Sequence, residues 1–191
     1  MLPPHAPPSF SDRSTLWNSV EQTEKSNNSQ LAREIELALP VELSREEQTR
    51  LVREYCSSQF VSKGMCADFN IHDTGSGNPH AHILLTMRPL DEKGAWAAKS
   101  KKEYVLDESG EKILLPSGRY KTQKIDLMDW NRQENADLWR KAWADMANDF
   151  LEQNGSAERI DHRSNAERGI DEIPTVHMGV AACQMEKKGI A

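Results

Sequence analysis

Three histidines stand within one short stretch: His72, then His80 and His82, separated by Asp73-Thr74-Gly75-Ser76-Gly77-Asn78-Pro79. Side chains two apart on a strand leave the same face. His80 and His82 therefore present their imidazoles together. The Gly-, Asn- and Pro-rich connection is a chain reversal, which lays His72 across a hairpin from that pair. A neutral imidazole is the commonest protein ligand of transition metals. A set of three leaves coordination positions open, as in catalytic rather than closed structural sites. A lone histidine is usually a surface or satisfied core residue, and an HxH pair alone is ambiguous. The third histidine across the turn is what tips the reading toward a metal. Asp73 could orient one of the rings by accepting its second N–H.

The elements that must position these residues are legible in the hydrophobic pattern. Residues 65–73 and 80–87 read as the two strands of the hairpin. Residues 31–39 alternate, with Ile35, Leu37 and Leu39 on one face and Glu34 and Glu36 on the other, which predicts a third strand. Those glutamates form the polar face of that strand. Asp12 can cap a helix over 12–25. Ser44 and Glu47 form a capping box for a helix to about 61, with Leu51, Val52, Tyr55, Phe60 and Val61 as its core stripe. A long helix over 128–153 carries Leu138, Trp139, Ala142, Trp143, Met146, Ala147, Phe150 and Leu151 at spacings of three and four. Its tryptophans, Trp130, Trp139 and Trp143, read as core. Between these elements, residues 91–126 are irregular. Turn signals at 107–110 and 116–118 predict a small hairpin of 104–106 with 113–115.

With 191 residues the chain suits one domain. Residues 1–11, rich in proline, predict an extended, poorly ordered lead-in with neither the basic start nor the apolar run of a secretory signal. No apolar run is long enough to cross a bilayer. Three cysteines without a CxxC pair fit a reducing cytoplasm and give no zinc-ribbon signal. The net charge of −6 argues against a general nucleic-acid binder, but the charge is unevenly spread. Residues 88–124 hold nine Lys and Arg against six Asp and Glu, so that stretch is +3 on an acidic body. Arg88, Lys99, Lys101, Lys102, Lys121 and Lys124 are the candidate phosphate contacts, unless the stretch is merely a solvated mixed-charge surface.

The segment from His72-Asp73 through Asn78-Pro79-His80-Ala81-His82-Ile83-Leu84-Leu85-Thr86-Met87-Arg88-Pro89-Leu90 closely resembles the third motif of the MobA/MobL relaxases. These are HUH-type DNA-nicking proteins of mobilisable plasmids. Further matching segments run from Leu31 to Pro40, from Leu138 to Asp145, over Ile160-Asp161-His162-Arg163-Ser164, and over Gly169-Ile170-Asp171 with Pro174-Thr175-Val176-His177-Met178-Gly179. The resemblance spans about residues 13–190.

It implies an α+β domain over 12–191 with a five-stranded antiparallel sheet flanked by helices. A divalent metal such as magnesium or manganese would be held by His72, His80 and His82, with Glu34 or Glu36 as the acidic partner, although a plain solvated strand face explains these glutamates equally well. It implies a metal-dependent single-strand nick at a transfer origin, made in the bacterial cytoplasm by a monomer working on single-stranded DNA, with relaxosome accessory proteins as possible partners. In that family a tyrosine ahead of the first helix attacks the phosphorus. Met1–Ser11 contains none, and Tyr55, Tyr104 and Tyr120 match no such position. The expectation is a relaxase domain lacking its first strand and nucleophile. The alternative function is therefore a nuclease-inactive module that binds metal and origin DNA or relaxosome partners. An unrelated three-histidine hydrolase that activates water is the remaining reading.

Overall fold

The computed structural model describes residues 1–75 and 77–172, together with Gly179, Gln184, Met185, Lys188 and Gly189. The chain divides into two compact units, Met1–Ile160 and Asp161–Ala191.

The first unit is built around a three-stranded antiparallel sheet of β1 (Ala32–Ala38), β2 (Ala67–His72) and β3 (His80–Thr86), with β3 central. Alternation sorts its side chains. Ala81, Ile83 and Leu85 of β3 are fully buried on one face, beside Leu37 of β1 and Ala67 of β2. Helices α2 (Arg45–Gln59) and α3 (Glu134–Gln153) cover that face. Leu51, Val52, Tyr55 and Cys56 come from α2, and Trp139, Trp143, Ala147, Phe150 and Leu151 from α3. The expected capping box is present, with Ser44 and Glu47 bonding each other's backbone N–H. Aromatic edges lock the two helices: Tyr55 meets Trp143 at 5.2 Å between centroids, and Phe60 meets Trp139 at 5.3 Å. All three expected core tryptophans are buried, but Leu138 is exposed. The long helix starts at Glu134 rather than at 128. Asn135 bonds the Asp129 carbonyl instead, which holds 129–135 as a turn that buries Trp130.

The lead-in departs from the loose extension that its prolines suggest. Met1 exchanges both backbone hydrogen bonds with Ala67 on the outer edge of β2. Pro8–Ser11 forms a 3₁₀ turn, Phe10 is buried, and its ring stacks on Trp96 at 5.4 Å. Gly94 completes the contact. It adopts φ +77, and a Cβ there would lie 2.8 Å from the His5 carbonyl oxygen, so only glycine fits. Helix α1 (Arg13–Thr23), capped by Asp12, reaches Asp68 of β2 through Arg13 at 2.6 Å and the Trp17 indole at 2.9 Å.

Residues 100–126 leave this body as a ribbon. Strands β4 (Ser100–Tyr104) and β5 (Thr122–Asp126) pair antiparallel as a separate two-stranded sheet. The implied five strands are thus split three and two among the described residues. At the end of the ribbon the chain makes a three-way junction. Val105 donates to the Lys121 carbonyl, Lys121 to Ile113, and Ile113 back to Val105. The expected hairpin of 104–106 with 113–115 is present within it, bridged at Leu106–Lys112, and Leu114 bridges Tyr120 in the same way. The three arms repeat every eight residues.

In the second unit, Arg163 bonds Asp161 through Nε and Nη2, and Ser164 and Glu167 form reciprocal cap bonds. The bonds from Arg163 hold the Asp161 carboxyl well below the usual carboxylate range. Most of the segment Pro174–Gly179 matched above, and Cys183, lie outside the described residues.

Candidate metal centre

The face of the sheet opposite the α2–α3 core carries the histidines. The register places His72 directly opposite His80 and Asn70 opposite His82, so β2 and β3 deliver all three rings to one side. Their centroids are 4.9 to 5.5 Å apart and each pair is edge-to-face. One ligand nitrogen from each ring lies within 4.8 Å of the others, so the three residues could hold one metal ion. His72 is exposed, and His80 and His82 are half-buried.

Two of the rings are fixed from behind. His80 Nδ1 lies 2.9 Å from the Asn78 carbonyl oxygen. His82 Nδ1 lies 2.9 Å from Glu34 Oε1. A carbonyl and a carboxylate both accept, so each Nδ1 must carry the hydrogen. That leaves the Nε2 lone pairs of both rings for a metal, which is the outer-partner arrangement typical of ligating histidines. Three imidazole nitrogens are donors of the kind that zinc, iron, nickel and copper ions take. Magnesium prefers an all-oxygen octahedron.

The two candidate glutamates separate here. Glu36 is directly opposite His82 in the ladder, yet it is Glu34, on the diagonal, that takes the imidazole N–H. Among the described residues Asp73 bonds no histidine. Its carboxylate accepts from Arg45 at 2.8 Å and from the Gly75 N–H. The backbone carbonyl of Asn78 was missed as a partner, because a main-chain acceptor leaves no trace in residue type.

The candidate phosphate contacts fare differently from one another. Arg88 is committed within the fold: Nε and Nη2 bond Glu24 and Nη1 bonds the Ala97 carbonyl. Lys99 pairs with the same Glu24 at 2.7 Å. Burial raises the Glu24 carboxyl, but the bonds from Arg88 and Lys99 outweigh it and hold the group below its ordinary value. Lys101 pairs with Glu103 and Lys124 with Asp126 along the ribbon. Lys102 and Lys121 are exposed and, among the described residues, join no ion pair. Tyr55 is buried and donates to the Trp139 carbonyl at 2.9 Å, and burial pushes its hydroxyl pKa far up. Tyr104 and Tyr120 face each other at the ribbon junction. No described helix is long and apolar enough to cross a membrane.

Residues 1–188 match the model of the MobA/MobL family. A probable mobilization protein MobA of Bifidobacterium longum is 36% identical over 205 residues, covering 99% of this chain and 36% of that protein. A conjugal transfer protein TraA of Agrobacterium fabrum is 39% identical over 175 residues, covering 91% of this chain and 15% of its own length. The chain thus spans only about a third or less of these relatives. A solved structure described as "Molecular Basis of Vancomycin Resistance Transfer in Staphylococcus aureus" superposes with a TM-score of 0.70 at 35% identity, over 86% of this chain and 73% of that one. On the match of nearly its whole length, this chain, with its antiparallel sheet, flanking helices and three-histidine face, belongs to the MobA/MobL family.

Proposed function

We propose that this domain serves plasmid mobilisation as the metal- and DNA-holding part of a relaxase, which makes a single-strand nick at a transfer origin. The observation that carries the reading is the convergence of His72, His80 and His82 with Glu34 behind His82. A divalent ion bound there would act as a Lewis acid toward a phosphoryl oxygen. The chain's own residues set the geometry. Asn78 and Glu34 fix two ring tautomers, β3 fixes the spacing of His80 and His82, and Arg45 draws Asp73 aside. A first-row transition ion fits the imidazole donor set better than magnesium. The setting is the bacterial cytoplasm, and the DNA is presented as a single strand, with relaxosome proteins as possible partners.

A second reading is favoured by the tyrosines. Attack in line on a held phosphate needs a nucleophile close to it. Tyr55 is bonded inside the helical core, and Tyr104 and Tyr120 pack on one another at the ribbon junction. The 191-residue chain is therefore expected to bind metal and origin DNA without forming a tyrosyl–DNA adduct.

The test is a labelled transfer-origin strand from the replicon that carries this gene, incubated with manganese and run on native and denaturing gels. Wild type should shift the strand and leave no protein-linked band. Manganese affinity should collapse in a His80→Ala, His82→Ala variant. Equal manganese affinity in wild type and that variant would sink the metal reading. A linked band lost in one of Tyr55→Phe, Tyr104→Phe or Tyr120→Phe would overturn the second reading and identify the nucleophile.

A further inference from the structure

The ribbon junction carries surface that neither the fold nor the metal centre uses. Its eight-residue repeat places Tyr104, Lys112 and Tyr120 at equivalent positions, with Leu106 and Leu114 beyond them on the same face by strand alternation. The tyrosines are half-exposed, at 50% and 51%. They meet edge-to-face at 5.8 Å, and the Lys112 ammonium lies 3.9 Å from the Tyr104 ring centroid and 5.6 Å from that of Tyr120. Isolated exposed aromatics are ordinary. Here two half-exposed aromatic rings share one cation outside both hydrophobic core clusters.

We propose that Tyr104, Tyr120 and Lys112 form a stacking seat for an unpaired base of single-stranded DNA, with Lys112 on the adjoining phosphate. This rests on the reading of the domain as one that handles a DNA strand. Charge selects the occupant. Residues 112–121 contain Lys112, Arg119 and Lys121 and no acidic residue; the acids nearby are those of the turn at 107–111 and Glu103, which is paired with Lys101. One of those acids, Asp107, has its carboxylate engaged with Ser109 and with the Glu111 backbone. A basic edge beside an aromatic face is the pairing that nucleic-acid strands require: backbone attraction plus a sequence-tolerant platform for the base. An acid-free edge with an aromatic face fits a polyanionic strand better than a peptide, whose backbone carries no charge for Lys112, Arg119 and Lys121 to meet.

The experiment compares a thymidine 20-mer with a 20-mer of abasic units, both single-stranded, using the 191-residue chain. Wild type should prefer the thymidine strand by about tenfold, the scale of one stacked base. A Tyr104→Ser, Tyr120→Ser variant should lose that preference and keep residual, salt-sensitive binding to both strands. A Tyr104→Phe, Tyr120→Phe variant should retain it, because the ring alone is used. Lys112→Gln should weaken both strands alike and lower the salt slope by about one. Thermal melting confirms that each variant is folded. If the serine variant keeps the preference, the seat is refuted while the DNA reading stands. If wild type binds neither strand, the DNA reading fails and the seat with it. If DNA binding is unchanged but the serine variant loses a self-association seen by sedimentation, the face is an interface between copies and the proposal is overturned.

Discussion

Glu34 offers the sharpest test of how the sheet tunes its histidines. The bond from His82 Nδ1 to Glu34 Oε1 is 2.9 Å, with the histidine side chain 30% and the glutamate side chain 58% exposed. Loss of an outer partner of a ligating histidine costs 10- to 100-fold in metal affinity as a rule. Solvent around Glu34 screens its charge, which puts the expected effect of Glu34→Ala at the low end, about tenfold. Glu34→Gln separates the two contributions. Its amide oxygen can still accept from Nδ1 and hold the ring, but the negative charge is gone, so the loss should be about threefold, between wild type and alanine. Glu36→Gln is the internal control: Glu36 faces His82 across the ladder but makes no described bond to it, and its affinity should stay within about twofold of wild type. Calorimetric titration with manganese on all four proteins reads these differences directly. Equal losses in the Glu34 and Glu36 variants would show that general negative charge, not the hydrogen bond, supports the site. No loss in Glu34→Ala would remove Glu34 from the metal centre altogether.

Other expectations follow from the ion pairs and the core. Reversing Lys102 and Lys121 to glutamate should weaken single-stranded DNA binding and flatten its salt dependence more than reversing Lys101 and Lys124, which already pair with Glu103 and Asp126; equal effects in filter binding across a salt series would refute this. Glu24→Ala should cost about 2 kcal/mol by urea unfolding, because Arg88 is left with an unmatched guanidinium in a mostly buried site. The sign of its pH dependence is fixed by the lowered carboxyl: the wild type's advantage is complete above the unfolded value near 4.5 and fades as pH falls through the folded one, so a difference that grew on acidification would contradict the assignment. Burial pushes the thiols of Cys56 to about 12 and Cys66 to about 11, so mass spectrometry should find both unmodified after native maleimide labelling at pH 8 and modified in denaturant.

The parts of this molecule that obey short-range rules could be read from residues alone. Alternation located β1, β2 and β3 to within a residue or two, and the Ser44–Glu47 box located the start of α2. The convergence of the histidines followed from a two-residue spacing and one turn. What escaped depends on partners far away in sequence. The proline content of residues 1–11 says nothing of Ala67, Trp96 or Gly94, the contacts that order them. Arg88 looked available for phosphate because Glu24, its partner, lies 64 positions earlier. The choice between Glu34 and Glu36 turned on side-chain reach across the ladder, which the periodicity shared by both cannot express. The ribbon looked irregular because its paired strands β4 and β5 are separated in sequence by the two turns of the three-way junction.

The reciprocal pair between Met1 and Ala67 gives the molecule a calibrated attachment point. It is an antiparallel bridge on the open edge of β2, so residues fused ahead of Met1 in an engineered protein have a track already laid for them. From Ala67 to His72 is five positions, and the fifth grafted residue would come to rest opposite His72. Grafted positions one, three and five would share the face of Asp68, Asn70 and His72, and the even ones would turn toward the core. The terminus thus behaves as a vernier. Lengthening a graft by two residues advances a chosen side chain by one notch along the metal face, and lengthening it by one turns that side chain away.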